Sequence, residues 1–366
     1  MTVYLVRRVG ASIVVVLGVS IFIFFLLHVI YPSPAVDVLG PKAPQASINA
    51  WNREHGFDDP WLVQYLHYMN NLLHGNLGYA YKANQSVAAL FQERWARSLY
   101  LSGMSLFLAV IIAIPLGIYQ AIRRNTLGDT AVTTLAFVTY ATPVFLLGLI
   151  LIQVFALSFP IFNYEASQST SVWTVMGDWY SMTLPIATLV LITVAGYSRY
   201  MRSSAMDALA QDYIKVARAK GLPERLVLFR HLVRNASLPM ITLIGLSIPL
   251  LLAGNLIVEV LFNYQGLGLL FYNSLGTVDY NVLLAYTLIG AVLTVVGNLV
   301  ADVALTVADP RIRLARPGLP QETTWLRTSE HSRRSTWSAP PRAARSARCR
   351  AGGGWRSTSS PRIGWP

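Results

Sequence analysis

Six long apolar stretches, separated by polar segments, dominate the hydrophobic pattern of this chain. Each has close to the ~20 residues that a helix needs to cross the hydrocarbon core of a bilayer. The pattern predicts six membrane-spanning helices, at about residues 9–30, 99–122, 131–160, 183–200, 238–262 and 282–307. The first stretch has 22 residues, more than the ~7–15 of a signal-peptide core, which favours an uncleaved span over a cleaved signal.

Prolines interrupt several of these predicted spans. Their positions are Pro115, Pro143, Pro185, Pro239 and Pro249. Proline is tolerated in membrane helices because neighbouring helices can satisfy the carbonyl groups that it leaves free. The sequence is compatible both with simple kinks and with a bundle that flexes.

The distribution of Lys and Arg between the spans predicts the orientation of the chain. Loop 123–130 has two of these residues and loop 199–237 has eight, whereas loops 161–182 and 263–281 have none. Because cytoplasmic loops carry an excess of Lys and Arg, both termini are predicted to be cytoplasmic. Segment 31–98 then lies outside. Two amphipathic stretches in it, WLVQYLHYMNNLL (61–73) and VAALFQERW (87–95), predict short helices against the outer membrane face or a partner.

The composition agrees with a membrane protein and excludes several other classes. Of the 366 residues, 54% are apolar and 13% are charged, whereas soluble domains have about 25% charged residues. The single cysteine, Cys349, excludes a disulfide framework and a cysteine-based metal site. The net charge of +12 is uneven. Residues 1–314 carry 19 Lys and Arg against 15 Asp and Glu, and residues 315–366 carry 10 Arg against two Glu.

The C-terminal tail, residues 315–366, differs from the rest of the chain. It is rich in Arg, Ser, Pro and Gly and has no apolar periodicity, which predicts disorder. It could be a basic arm for anionic lipid or nucleic acid. The preferred interpretation is an out-of-frame or read-through extension, with no nucleic-acid partner. Deletion of residues 318–366 is then expected to leave assembly intact.

The longest predicted cytoplasmic loop, residues 199–237, has the most distinctive pattern. A helix is expected from Asp207 to Lys220, ended by Gly221 and Pro223, and a second helix over about 224–235. From the residues alone three interpretations remain open. The loop could be a solvated element that sets topology, a binder of anionic lipid headgroups, or a docking helix for a soluble cytoplasmic partner.

This loop resembles the EAA loop of permease subunits in bacterial ATP-binding-cassette (ABC) importers, in the form typical of dipeptide and oligopeptide permeases. The matching segments are DYIKVARAKGL and RHLVRNASLP. Lys215, Val216 and Ala217 occupy the E-A-A positions, and Gly221 is the glycine of the pattern. Ala236 stands where isoleucine is usual. Fourteen residues separate Gly221 from Ala236, which is the longer spacing of the peptide subgroup.

Further motifs extend the resemblance over residues 1–314. The segment GNLGYAY resembles the G-[DN]-L-G-x-S element of the family. The E-x-x-F-x-x-x-G-L-G pattern is formed by Glu259, Phe262, Gly266, Leu267 and Gly268, with Gln265 where proline is usual. The N-L-x-x-D and D-P-R-I-R patterns are formed by Asn298, Leu299, Asp302, Asp309, Pro310, Arg311, Ile312 and Arg313.

The resemblance implies an all-α polytopic permease of the type I importer kind in the inner (plasma) membrane, with six spans within residues 1–314. It would form half of a path for di- or oligopeptides. The implied partners are a second homologous permease of the C type, one or two P-loop ATPase subunits, an extracytoplasmic substrate-binding protein and membrane lipid. ATP and magnesium would bind the ATPases, because this chain has no G-x-x-x-x-G-K-[ST] motif. No cofactor, metal or catalytic residue is expected in this chain.

The resemblance also assigns roles to individual residues. The coupling helix that docks on an ATPase would contain Tyr213, Ala217, Arg218, Ala219, Lys220 and Gly221. The candidates for the path or a gate are Glu259, Gly266 and Gly268. The residues of the expected structural motif are Asn298, Asp302, Asp309, Pro310 and Arg311.

Two acidic residues near span ends have alternative interpretations. Glu259 could contact the path or a gate, but a structural hydrogen bond with Asn263, Tyr264 or the following loop is favoured. For Asp302 a structural pairing with Arg311 or Arg313 is favoured.

Other functions remain to be distinguished. The same machine could carry nickel, glutathione or oligosaccharides. A stand-alone channel or secondary carrier is the rival from another class, and it would not require ATPase partners. An enzyme is not expected, because no serine-elbow, H-E-x-x-H or paired intramembrane aspartate pattern is visible in the sequence.

Overall fold

The computed structural model describes residues 2–308, apart from Pro32 and Pro41. Most of this part is helical, and its only sheet is the antiparallel pair β1 (Tyr79–Ala80) and β2 (Gln85–Ser86). The predicted all-α class is therefore confirmed.

Several predictions cannot be compared with the structure. Those for Asp309, Pro310, Arg311 and the tail 315–366 lie outside the described residues, and the pairing of Asp302 lies outside the described side chains.

The segment between the first two predicted spans contains three short helices. In chain order the elements up to β1 are α1 (Thr2–Ile30), α2 (Ala35–Leu39), α3 (Gln45–Glu54) and α4 (Trp61–Leu73). The amphipathic stretch 61–73 is helical from end to end, as its periodicity predicts. The stretch VAALFQERW does not form a separate helix, because it continues without a break into the second predicted span.

The central part of the bundle is built from four helices and a short π-helical segment. They are α5 (Val87–Ile122), α6 (Leu127–Ala141), α7 (Val144–Ile152) with the π-helical segment Gln153–Ser158, and α9 (Trp179–Leu209), which the short α8 (Val172–Gly177) precedes. Small residues allow α5 and α9 to approach closely. A Cβ atom at Gly117 would lie 2.6 Å from Cβ of Met201 and 2.7 Å from the carbonyl oxygen of Ser198. Backbone proximity of this kind is how membrane helices gain packing energy.

The C-terminal part of the described chain begins after α9. Its elements are α10 (Asp212–Ala219), α11 (Glu224–Leu226), the π-helical segment Val227–Val233, α12 (Arg234–Ala236), α13 (Leu238–Ala253), α14 (Leu256–Leu261), α15 (Leu267–Thr277) and α16 (Tyr280–Ala308). Helix α16 packs on α13 and on α1.

Four helical stretches are long and apolar enough to cross a membrane, namely Gly10–Ile30, Val87–Ile122, Trp179–Leu209 and Tyr280–Val300. A fifth candidate is the pair Leu127–Ala141 and Val144–Ser158, which is bent by 106°. The bend has a local cause, because a residue that precedes proline is driven out of the helical region. Thr142, immediately before Pro143, has φ −78° and ψ 128°.

The predicted fifth span, 238–262, is not one continuous helix. Helix α13 ends at Ala253, and Gly254 adopts a φ of +87°. This left-handed conformation favours glycine and stops the helix. The described chain therefore has four single helices of spanning length and one bent pair, whereas the sequence predicts six spans.

Candidate functional site

The basic loop, residues 199–237, forms a compact helical unit at the predicted inner end of the bundle. The expected helix from Asp207 to Lys220 is divided, because α9 continues to Leu209 and α10 begins only at Asp212. The expected second helix is present as a continuous helical run over 224–236 that includes a π-helical segment.

One face of α10 is buried against the chain itself. The side chains of Ile214 and Ala217 are 0% and 4% exposed. They belong to an apolar cluster, here called the loop core, which also contains Met201, Ala205, Val227, Leu232, Ala236 and Met240. The predicted docking residue Ala217 therefore lies on the inward face, within the loop core, where α10 packs on the π-helical segment.

The opposite face of α10 is available to a partner. Tyr213 and Val216 are 38% and 51% exposed, and Ala219, Lys220 and Gly221 are exposed as well. Gly221 has a φ of +74°, and a Cβ atom there would meet no described atom within 4 Å. The glycine is therefore required by its backbone conformation and leaves open space beside the end of α10.

Two ion pairs stabilise the shape of the basic loop. The guanidinium group of Arg218 donates to both carboxylate oxygens of Glu224, at 2.6 and 3.2 Å, which raises the pKa of Arg218. The ammonium group of Lys215 donates to Asp212 at 2.9 Å and holds the pKa of that carboxyl below its usual value. Arg218, one of the predicted docking residues, thus closes the turn between α10 and α11.

A buried ion pair connects the base of this loop to α6. Arg202 donates to both carboxylate oxygens of Asp129, at 3.0 and 2.9 Å, and Asp129 is 3% exposed. The backbone N–H of Asn125 and the hydroxyl of Thr133 also donate to Asp129. Sequence reasoning missed this pair. The available indication was an acidic residue in the first turn of a helix capped by Thr126.

The second candidate region, here called the Glu259 site, lies where α14 and α15 meet α5. Glu259 is 0% exposed. Its carboxylate accepts from the Ser98 hydroxyl at 2.8 Å and from the N–H groups of Gly268 at 2.7 Å and Leu269 at 3.2 Å. The N–H of Asn255 donates at 3.3 Å. The carboxylate therefore satisfies the free N–H groups at the start of α15, where the helix dipole favours a negative charge.

Glycine is required around this carboxylate. A Cβ atom at Gly254 would lie 2.6 Å from Oε1 of Glu259, and one at Gly268 would lie 2.7 Å from Cα of Leu256. A Cβ atom at Gly266 would overlap the Glu259 carboxylate and the Ser98 hydroxyl. The E-x-x-F-x-x-x-G-L-G pattern thus describes a backbone wrapped around one buried carboxylate.

The neighbours of Glu259 differ in part from those that the sequence suggests. The side-chain hydrogen bonds come from Ser98, the turn before α14 and the following loop. Tyr264 bonds only the backbone carbonyl of Glu259 through its N–H, and its hydroxyl donates to the carbonyl of Arg97 at 2.9 Å. The carbonyl of Asn263 accepts from Gln168.

A polar face inside the bundle lies next to the Glu259 site. A cavity of about 70 Å³ is lined by five hydroxyl and amide side chains, Ser102, Ser105, Thr193, Ser247 and Asn255, together with Leu106, Leu189 and Leu251. The amide of Asn255 donates to the hydroxyl of Ser102 at 2.7 Å. Polar residues within spans mark candidate paths for polar solutes. In the sequence, Ser98, Ser102 and Ser105 recur at i, i+4 and i+7, and this spacing indicates a polar face on α5.

Among the residues of the predicted structural motif, only Asn298 has a described side chain. Asn298 is half-buried on α16. Within the described part of the chain, no group of three or more His, Cys, Asp or Glu side chains could hold a metal ion.

Comparison with known proteins identifies related sequences along the whole of residues 1–314. A family model described as "Binding-protein-dependent transport system inner membrane component" matches residues 113–314, and a model for the N-terminal part of such components matches residues 1–102. The oligopeptide transport system permease protein of Bacillus subtilis is 38% identical over 316 residues, covering 85% of this chain and 99% of that protein. The glutathione transport system permease protein of Escherichia coli is 33% identical over 310 residues, covering 85% and 98%.

Proposed function

Because this chain belongs to the family of inner membrane components of binding-protein-dependent transport systems, we propose that it forms half of the path of an ATP-driven importer for di- or oligopeptides. The family resemblance predicted from the basic loop is confirmed by these matches. The peptide cargo is supported by the similarity to the oligopeptide permease, which extends over nearly the whole of that protein.

The observation that carries this proposal is the two-sided character of α10. Its exposed face, with Tyr213, Val216 and Lys220, is a surface for a soluble partner. Its buried face is packed into the loop core through Ile214 and Ala217. A force applied to the exposed face would therefore reach the π-helical segment, which packs on both α10 and α9, and the Asp129–Arg202 pair would connect α9 to α6. Rigid-body movement of packed elements is an established mode of switching.

The proposed partner on this surface is a P-loop ATPase that binds ATP and magnesium. A second homologous permease would complete the path, and an extracytoplasmic binding protein would deliver the cargo. The proposed orientation, with both termini in the cytoplasm, is supported by the eight Lys and Arg residues of the basic loop. This chain would contribute no ATPase site of its own.

We assign the path to the polar face around Ser102, Ser105, Thr193, Ser247 and Asn255. In this proposal Glu259, Gly266 and Gly268 do not touch the cargo. They hold the corner between α14 and α15 and thereby position Asn255, whose N–H bonds the Glu259 carboxylate.

Glutathione is a second candidate cargo. It is a short peptide, and the permease named for its transport in Escherichia coli is 33% identical to this chain. The binding protein, rather than this chain, would distinguish the two cargoes.

The proposal is tested by affinity purification in mild detergent with mass-spectrometric identification of the co-purifying chains. We expect a second permease and one or two P-loop ATPases. Val216→Glu places a charge on the exposed face of α10 and should reduce ATPase recovery about tenfold or more. Gly221→Trp should have a similar effect, since it fills the open space beside α10.

A matched control uses Leu127→Glu, because Leu127 is 91% exposed on the same predicted side but lies outside the basic loop. ATPase recovery should be unchanged in this variant. Purification of the folded wild-type chain without any ATPase would overturn the importer and favour a channel or secondary carrier.

A further inference from the structure

A groove of about 610 Å³ lies between α6 and α9, on the side where the Arg202 side chain reaches Asp129. Its lining includes Thr133, Phe137, Tyr140, Arg199, Tyr200 and Arg202. The volume is within the ~300–1,000 Å³ of typical small-molecule sites. None of these residues belongs to the exposed face of α10, to the polar face inside the bundle or to the Glu259 site.

The guanidinium group of Arg199 is held in this groove by aromatic rings alone. Its central carbon lies 5.8 Å from the centre of the Phe137 ring and 5.1 Å from the centre of the Tyr140 ring. No carboxylate or other acceptor of the described chain bonds it. The ring faces attract the cation, while its five N–H donors remain available to an acceptor from outside the chain.

The other charges at the groove leave that of Arg199 unbalanced. Arg202 is the second cation in the lining, and its charge is matched by Asp129, with which it forms two hydrogen bonds. The described lining residues include no Asp or Glu, and Asp207, further along α9, is not among them. The groove therefore has a net positive charge, which favours an anionic ligand.

The groove combines this charge with apolar surface at the end of spanning helices. Phe137 and Tyr140 are 60% and 56% exposed, and they lie on α6, the first half of the bent candidate span. Arg199 is at the end of the predicted span 183–200, where the basic loop begins. Arginine and tyrosine at the end of spanning helices are typical of sites for anionic lipid headgroups. The exposed rings suit the glycerol and acyl groups of a lipid, which a free inorganic anion lacks.

We propose that this groove binds the phosphate headgroup of an anionic phospholipid. The N–H groups of Arg199 donate to the phosphate oxygens, and the hydroxyl of Tyr200 is a further donor in the lining. Phe137 and Tyr140 pack against the glycerol region. The bound lipid bridges α6 and α9, in addition to the Asp129–Arg202 pair.

The position of the groove in the membrane follows from the orientation of the chain. The basic loop is proposed to be cytoplasmic, which places the groove in the inner leaflet. The choice of leaflet therefore rests on the proposed function, whereas the binding of the headgroup itself does not.

The experiment uses the full chain with its co-purifying partners in mild detergent, stripped of lipid. Native mass spectrometry then counts the bound lipids during titration with dioleoylphosphatidylglycerol or with dioleoylphosphatidylcholine, a zwitterionic lipid with the same acyl chains. The wild type should bind the anionic lipid at least about fivefold more tightly. Arg199→Gln should weaken the binding of one anionic lipid per chain about fivefold and leave phosphatidylcholine binding unchanged.

Two further variants separate the contributions to binding. Tyr140→Leu keeps an apolar side chain but removes the ring beneath the guanidinium group, and it should weaken binding of the anionic lipid about two- to fivefold. Arg225→Gln is the matched control, because Arg225 is an exposed arginine of the same basic loop outside the lining of the groove. It should leave the affinity for both lipids unchanged.

Equal affinity of the wild type for the two lipids would overturn the proposal. Equal affinity of the wild type and Arg199→Gln for the anionic lipid, with the variant eluting as the wild type does, would also overturn it. Displacement of the lipid by inorganic phosphate would assign the groove to a free anion, and displacement by dialanine would assign it to the carboxylate of the cargo. Either displacement would contradict a lipid site. Failure to recover ATPases would count against the importer and would leave the lipid result unaffected.

Discussion

The basic loop and the Glu259 site use charge in opposite ways. In the basic loop the apolar side chains form the interior, and the ion pairs Lys215–Asp212 and Arg218–Glu224 lie at the surface. In the Glu259 site the carboxylate itself is buried, and backbone N–H groups and glycines surround it. The first arrangement leaves a surface for a partner. In the second arrangement the Glu259 carboxylate forms its hydrogen bonds with groups of the chain itself, so it presents no charged surface to a partner.

This difference has an energetic consequence. Exposed ion pairs contribute about 0–1 kcal/mol, whereas each buried donor that loses its acceptor costs about 1–3 kcal/mol. Substitutions in the basic loop should therefore change binding more than stability, and substitutions at the Glu259 site should change stability first.

The largest effect is expected for Glu259→Ala. The change leaves the N–H groups of Gly268 and Leu269 buried without an acceptor, and we expect a loss of about 3–5 kcal/mol in the free energy of unfolding, because each such donor costs about 1–3 kcal/mol. Chemical denaturation in mixed micelles measures it, and the exposed Glu54→Ala is the control. Wild-type stability combined with lost transport would instead assign Glu259 to the path or gate.

A smaller loss is expected for Asp129→Ala, which breaks the pair with Arg202. We expect about 2–3 kcal/mol, below the range for fully buried pairs because the Arg202 side chain is 24% exposed. The exposed Asp207→Ala should change stability by less than about 0.5 kcal/mol. Equal values for the two variants in the same unfolding assay would contradict a structural role for the pair.

Gly266→Ala tests whether the glycine is needed for packing. Its Cβ atom would overlap the Glu259 carboxylate, and we expect a loss of about 1–3 kcal/mol. Gly276→Ala is the control in the same stretch of chain, because its Cβ atom would meet no described atom within 4 Å. If both variants unfold at the same denaturant concentration, the close approach at Gly266 is not required.

The smallest effect is expected for Arg218→Met in the basic loop. The Arg218–Glu224 pair is about half exposed on both sides, so its loss should cost about 0–1 kcal/mol. A double-mutant cycle with Glu224→Gln measures the coupling between the two side chains. A coupling above about 2 kcal/mol would show that this exposed ion pair contributes more than surface pairs do, and it would contradict the energetic difference between the basic loop and the Glu259 site.

The local features of the fold were predictable from the sequence, and the long-range ones were not. Helix α4 follows from its 3.6-residue periodicity, and the break at Pro143 is of a kind that proline predicts. A helix over 87–95 was predicted from its amphipathic pattern, but its continuity with the following span was not, because the pattern changes there from amphipathic to apolar. The predicted span 238–262 is broken at Gly254, whose conformation depends on the carboxylate beside it.

The candidate sites show the same limit. The order of residues indicates that Glu259 and the glycines belong together, but it does not reveal Ser98, which lies 161 positions away. The partner of Asp129 is 73 positions away. The burial of Ala217 depends on how α10 rotates onto α9, and the apolar pattern of eight residues does not determine that rotation.

Helix α9 has a mechanical consequence for the whole molecule. It is one helix of 31 residues, about 46 Å long at ~1.5 Å per residue, and it approaches α5 closely where Ser198 and Met201 meet Gly117. If that crossing acts as a fulcrum, the arm toward α10 is roughly 17 Å and the opposite arm roughly 28 Å. Rotation of α9 about this crossing would move its two ends in opposite directions, and Pro185 within the longer arm is the position where the helix can bend instead of transmitting that movement.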